Sequence, residues 1–430
     1  MSRALLSVCF VFITLNVFGQ GKKDSVAKVE GWSFGGLPVI AYNQDFGLQY
    51  GVIGNVFYYG DQGIRYPYYD HSIYLELTNT TLGDRRIILR YDARELIKEG
   101  RFRAELAQRL TSYRPFYGFN GYQSFFNDDF STSGSDAFIS PLFYAYEQNR
   151  INARATIEKN LFGQGKKYRL QTEVQLTYMG IQAPDREQFN KGKSEAEQAP
   201  DTATLYDQYV QWGIIPDKHK AGGTYAQFAV GGVIDTRDIE PYPSKGVFEE
   251  FMINYGLPLS SEAEHVVSLR LIHRHYQTLI KDRLVFAHRL QYRSFLNSNT
   301  PFYILQTLGG ADDIRGIKFS RLMGDGVFGA NAELRYKVFS MVIFNQNIYG
   351  ALSTFFDTGI VTRAHQFDSN QVPDAFTTWV NQDAESWHHS AGIGVRGSLN
   401  QNFIVAFDYG RALDERDGES ALYISLGWLF

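Results

Sequence analysis

The sequence predicts an all-β fold, a transmembrane antiparallel β-barrel of about sixteen strands. Three observations predict it. First, in the final segment Ala421–Phe430, Leu422, Ile424, Leu426, Trp428 and Phe430 share one face, and Tyr423, Ser425 and Gly427 share the other. Such period-two alternation fits a strand with lipid on one side and a polar lumen on the other. Second, aromatic residues make up 15% of the chain, with 28 Tyr and 33 Phe, while the mean hydropathy is slightly negative. A barrel reconciles the two, because each strand shows lipid only every second residue and tyrosines line both interfaces. Third, alternation recurs along the chain, whereas no segment after the first twenty residues reaches the ~18 apolar residues of a membrane helix.

Taken in order, the chain opens with an address. Met1-Ser2-Arg3 is a short positive start, Ala4 to Phe18 is an apolar run, and Asn16 to Gln20 is a cleavage zone. Residues 1–20 read as a secretory signal peptide, since roughly 15 apolar residues are too few to span a bilayer. The single cysteine, Cys9, lies inside that run, so the mature chain is expected to carry no thiol and no disulfide. Residues 21–36 read as a short periplasmic segment, and 37–430 as the barrel, whose first strand is expected at Leu37 to Asn43. No separate soluble domain fits in so short a leader.

The strands follow. Ile87, Leu89, Tyr91 and Ala93 alternate with Arg86, Ile88, Arg90, Asp92 and Arg94. Leu170, Thr172, Val174, Leu176 and Tyr178 alternate with Arg169, Gln171, Glu173, Gln175 and Thr177. Leu284, Phe286, Leu290 and Tyr292 oppose Val285, Arg289, Gln291 and Arg293, with His288 an exception on the apolar side. From Val327 to Val338, Phe328, Ala330, Ala332, Leu334, Tyr336 and Val338 oppose Gly329, Asn331, Glu333, Arg335 and Lys337. Charges at every second position are costly against lipid, so those faces must point into a watery or paired interior. Connections Tyr113 to Pro141, Ala183 to Gly223, Asn297 to Gly326 and Thr362 to Trp387 are long; Ile97 to Gly100, Phe162 to Lys166 and Ile280 to Asp282 are short. Outer-membrane barrels keep long loops outside and short turns in the periplasm, which places both chain ends in the periplasm. The Ala183 to Gly223 loop, rich in Lys, Glu, Asp and Gln, is expected to be mobile.

Three segments together resemble the bacterial surface antigen family, the barrel of outer-membrane protein assembly factors of the BamA and TamA type. They are Leu308-Gly309-Gly310-Ala311-Asp312-Asp313-Ile314-Arg315-Gly316-Ile317, Asn331-Ala332-Glu333-Leu334-Arg335-Tyr336 and Phe355-Phe356-Asp357-Thr358-Gly359. Asp235-Thr236-Arg237-Asp238 with Pro243-Ser244-Lys245-Gly246 is similar to the family's turn after the eighth strand. The first segment looks like the family's sixth external loop, which folds back into the lumen; Ile317 stands where the family usually has Tyr or Phe. The periplasmic POTRA domains that members commonly carry are expected to be missing, so their receiving role does not carry over.

The residues read consistently beside the resemblance. Glu333 lies on the polar face of its strand, and Asp357 opposite Leu352, Thr354 and Phe356, so both should point inward. A loop arginine entering between these carboxylates can bridge them through its planar fork. The resemblance implies that pairing for Arg315, with Gly309, Gly310 and Gly316 permitting the tight turns. The alternative is that Glu333 and Asp357 belong to the ordinary acid–base pairs of a polar lumen. At the other end of the barrel, Gly35, Gly36 and Pro38 weaken the first strand, so its seam with Leu422–Phe430 is expected to be short, with Pro38, Trp428 and Phe430 at that seam. In the resembled factors this seam opens sideways to client strands. Alternatively, Pro38 marks only where the strand begins.

Other chemistry is not legible. There is no Gly-x-Ser-x-Gly elbow, no His-Glu-x-x-His and no phosphate loop, so no enzymatic activity and no cofactor are expected. His273 with His275, or His388 with Asp383 or Glu385, could hold a metal, but unmetallated histidines are the expectation. Tyr113, Phe116, Tyr117, Phe119 and Tyr122 cluster in an external loop; they could grip a partner, but an interface belt or loop packing is the commoner reading. A net charge of −4 offers no basic field for nucleic acid. The resemblance implies an outer-membrane barrel that assists protein insertion or translocation. Its expected partners are the lipid bilayer, client outer-membrane or secreted proteins and a periplasmic accessory protein. The alternative is a passive pore or small-solute channel.

Overall fold

The computed structural model describes residues 31–43, 47–60, 69–94, 96–162, 167–240, 242–260, 263–297, 299–343, 346–381, 384–399 and 403–430. The expected signal peptide and its cleavage zone lie outside them. Among the described residues, one antiparallel sheet of sixteen strands runs in chain order. Its first half comprises β1 (Trp32–Asn43), β2 (Gly47–Tyr58), β3 (His71–Thr80), β4 (Arg85–Arg94), β5 (Gly100–Pro115), β6 (Ala145–Phe162), β7 (Tyr168–Gln182) and β8 (Gly222–Asp235). The second half continues with β9 (Gly246–Pro258), β10 (Val266–Ile280) and β11 (Leu284–Phe295). A separate two-stranded hairpin follows, β12 (Gln306–Leu308) with β13 (Leu322–Gly324), inside the loop that leads to β14. The wall then resumes with β14 (Gly326–Ile343), β15 (Gln346–Arg363), β16 (His388–Leu399), β17 (Phe403–Ala412) and β18 (Ser420–Leu426).

The alternation does the work expected of it. Leu89, Val174, Leu176, Phe228, Val230 and Ile253 face outward and are exposed, while Glu76, Glu105, Glu158 and Glu173 on the opposite faces are buried. Those carboxylates are paired, as a lumen requires: Arg90 bonds Glu105 at 2.6 Å and Arg169 approaches Glu158 at 3.2 Å. Two boundaries differ from expectation. β1 begins at Trp32, five residues before Leu37, so residues 32–36 are wall rather than periplasmic segment. The last strand ends at Leu426 rather than Phe430, because Gly427 takes φ +88° and turns the chain out of the ladder.

The long loops close one end. The segments after β5, β7, β11 and β15 bury a shared aromatic core that includes Phe116, Phe119, Tyr206, Tyr209, Phe302 and Val372. The cluster expected as loop packing or an interface belt is therefore loop packing. The polar Ala183–Gly223 loop, expected to be mobile, is anchored in its second half. There Thr204 and Asp207 form a capping box, each side chain bonding the other's backbone N–H, and start the helix Leu205–Gln211. That helix buries Leu205, Tyr206 and Tyr209 in the cap.

Phe116 is fully buried and meets Phe119, Tyr206 and Tyr209 edge-on, with centroids 5.1–6.0 Å apart. Phe116→Ala should therefore weaken the cap by about 3–5 kcal/mol. Hydrogen exchange of the 205–211 amides should speed up by about a hundredfold, and unchanged protection would show that the cap does not depend on this ring.

Candidate functional site

The loop between β11 and β14 enters the lumen and presents one arginine to the wall. Its stem is the β12–β13 hairpin, and its tip turns at Gly309, Gly310 and Gly316, all at positive φ. At Gly316 (φ +94°) the requirement is also steric. A Cβ there would lie 2.7 Å from the β17 backbone at Gly410 and Arg411, and one on Gly410 would meet Arg315 and Gly316 as closely. Two facing glycines let the loop tip press directly against the barrel wall.

That approach delivers Arg315, which is 1% exposed. Its Nε and Nη2 donate to the two oxygens of Asp357 at 2.8 and 3.0 Å, and its backbone N–H donates to the same carboxylate at 3.1 Å. Its Nη1 lies 2.6 Å from Glu333 Oε1 and 3.6 Å from Asp408 Oδ1. The guanidinium stacks over the Phe355 ring at 3.5 Å. Arg335 bonds Glu333 at 2.7 Å, and Arg396 holds Asp408 through two 2.8 Å bonds. Three arginines, from the loop, β14 and β16, thus face three carboxylates, from β14, β15 and β17, so the buried cluster is neutral as a whole. Burying ions costs several kcal/mol each unless they are paired and hydrogen-bonded; here Asp357 and Asp408 each take two fork hydrogen bonds, and Glu333 takes one from Arg335 and the charge of Arg315.

The rest of the tip is tied down by backbone acceptors. Arg289 Nη2 and Asn331 Nδ2 donate to Asp313 O at 3.3 and 2.7 Å, and Gln291 donates to the Asp313 carboxylate at 3.0 Å. Gly316 N–H donates to Tyr423 Oη at 3.1 Å. Ile317 is fully buried with Leu308, Ile314, Leu322 and Val327, so an aliphatic side chain fills its position.

The structure places Arg315, Glu333 and Asp357 together, and adds Arg335, Arg396, Asp408, Gly410 and Tyr423, which were not singled out for this site from the sequence. The missing signal was the alternation of β17, where Ile404, Ala406, Asp408 and Ala412 are buried and Tyr409 is exposed. Trp428 and Phe430 are a correction: they leave the expected outer face and enter the lumen. The guanidinium of Arg335 lies 4.4 Å from the Trp428 ring and 4.7 Å from the Phe430 ring, and its Nη2 donates to Phe430 O at 3.0 Å. Phe430 is buried beside Tyr276 and Ala287 on the far wall. The cause is the turn at Gly427, beyond which inward arginines give the aromatic faces a better partner than a ladder end. Pro38 pairs with Val52 in mid-strand, so it does not mark the start of β1. Among the described residues no group of histidines and carboxylates is arranged to hold a metal. His388 instead bonds Asp417 at 2.6 Å and stacks on Tyr122, while Asp383 lies outside the described residues.

Comparison places this architecture. The Omp85 superfamily domain model matches residues 101–430. The fold is similar to that of BamA from Haemophilus ducreyi lacking POTRA domains 1–3, with a TM-score of 0.54 at 14% identity over 93% of this chain and 70% of that one. It is similar also to CdiB from Escherichia coli, with a TM-score of 0.56 at 9% identity over 94% of this chain and 64% of that one. The chain thus spans less than two thirds of the CdiB chain. No curated protein matches it in sequence.

Arg315→Ala leaves Asp357 and Glu333 buried without their shared partner, a loss of about 3–5 kcal/mol. The folded, fast-migrating form on semi-native gels should disappear at lower temperature, and Arg315→Lys, which keeps the charge without the fork, should lie between the two. If Arg315→Ala retains the parent's heat resistance, the clamp does not brace the barrel.

Proposed function

The chain belongs to the Omp85 superfamily and is a β-barrel of the outer membrane, and from that premise we propose that it assists the insertion or translocation of proteins at this membrane. The observation that carries the proposal is the seam. Neighbouring strands elsewhere in the sixteen-stranded sheet share a ladder, but among the described residues none joins β1 to β18. β18 has seven residues against twelve in β1. Gly427 draws the following residues into the lumen, so β18 lies beside β1 over only part of the length of β1. β1 itself carries Gly35, Gly36 and Pro38, which weaken strand order and remove one donor.

A strand edge in a membrane is costly unless paired, because lipid offers no hydrogen bonds. The same edge is a template for an incoming strand, with backbone bonds supplying affinity and alternate side chains specificity. Client outer-membrane or secreted proteins are the partners this geometry favours. The wall must stay closed elsewhere while this one seam yields, and the Arg315 cluster suits that task because it ties the loop to β14, β15 and β17 on the side adjoining the seam. The proposal includes no covalent step; the folding of the client supplies the driving force. The inward loop and the aromatic cap count against a permanently open pore.

Depleting the protein and quantifying the outer-membrane proteome by mass spectrometry tests this reading. Other barrel proteins, or one secreted family, should fall in abundance. An outer-membrane proteome that stays the same would remove the assembly role and bring the passive-pore reading forward.

A further inference from the structure

The turn between β8 and β9 crosses the periplasmic mouth. Asp238 shapes it, its carboxylate accepting from the Ile239 and Ser244 backbone N–H groups at 3.0 and 2.9 Å and from Ser244 Oγ at 2.5 Å. This compact base projects Glu240 to one wall and Tyr242 to the other. Glu240 accepts from Arg94 Nη2 at 2.5 Å and from Arg101 Nη1 at 3.2 Å, on β4 and β5. Tyr242 lies 5.7 Å from the Tyr349 ring of β15, and Lys337 of β14 sits 5.8 Å from it.

The placement of these anchors decides what the turn does. β4 and β5 are the fourth and fifth strands of the sheet, and β14 and β15 are the twelfth and thirteenth, so the anchors stand half a circuit apart. A turn held only by its own strands needs neither anchor. One fixed to opposite walls bars the lumen between them. Tyr349 also meets Trp428, whose Nε1 lies 3.4 Å from its hydroxyl, so the turn and the inward tail share one aromatic cluster. Burial alone would raise the Glu240 carboxyl, but Arg101 and Arg94 overcome it and hold it at about 2. The ion pair therefore persists across physiological pH.

We propose that the β8–β9 turn is a latched strap across the periplasmic entrance of the lumen, with Glu240 its releasable pin and Tyr242 its second anchor. The strap stands apart from the external cap, touches the Arg315 cluster through Trp428, and governs which periplasmic molecules reach the interior. The inference goes beyond the proposed role in protein insertion and does not depend on it.

The test uses the full chain with Cys9→Ser and one probe, Ser398→Cys. Ser398 is buried on β16 and pairs with Tyr349 across the ladder. A charged, membrane-impermeant maleimide should label this thiol slowly in the otherwise unchanged protein. Glu240→Gln and, separately, Tyr242→Ala should each raise the rate by about tenfold or more while the barrel keeps its heat-resistant form. Equal rates in folded parent and variants, or fast labelling in the parent, would overturn the strap. Should Glu240→Gln fail to fold, Tyr242→Ala decides. Since the readout is access to a lumenal thiol rather than delivery of clients, its failure is distinguishable from failure of the insertion role.

Discussion

A buried guanidinium bridging two carboxylates on neighbouring strands is the constraint on which the interior depends. Asp357 is fully buried and Glu333 is 1% exposed. Adjacent strands aiming two like charges into a closed space would repel one another without a cation between them. Arg315 supplies it from the inward loop, and its side-chain fork and backbone N–H all engage Asp357. Such a cluster binds loop and wall into one unit: removing the loop would strand Asp357 and leave Glu333 with Arg335 alone, and removing Asp357 would cost the loop its bidentate contact.

From that fixed point the rest follows by exclusion. The loop is tied to β14, β15 and β17, and among the described residues no ladder joins β1 to β18. The external end is closed by aromatic packing among four loops, a hydrophobic closure with no single pin. The opposite end is crossed by a turn held by charge on one side and ring contact on the other. Loop cores of the first kind resist opening because many rings must separate at once. The turn is held instead by separate polar and ring contacts, of which the Glu240 ion pair is one. The two ends therefore differ in how they are held, which suits the proposed role in protein insertion or translocation.

Much of this was legible in the sequence because period-two alternation is a direct record of lipid on one face and a polar lumen on the other. The strand count, the loop lengths and the inward aim of Glu333 and Asp357 all come from that record. What stayed hidden has physical causes. The inward path of Trp428 and Phe430 depends on one glycine at positive φ and on arginines contributed by β11 and β14, and alternation carries on past Gly427 as though the strand continued. Asp408 and Gly410 carry no motif of their own, and their role appears only when β17 is placed against the loop tip. The reach of Glu240 to Arg94 and Arg101 spans 146 and 139 residues of chain, and no local pattern announces it.

The most direct test of the central claim is a double-mutant cycle between Arg315 and Asp357, read as the unfolding free energy of the barrel in denaturant. If the pair is one buried unit, either single alanine substitution should cost nearly as much as both together, with a coupling energy close to the single loss itself, about 3 kcal/mol or more. Additive losses would contradict the account, since they would mean that Arg315 and Asp357 stabilise the barrel separately and that the loop is not held by this contact.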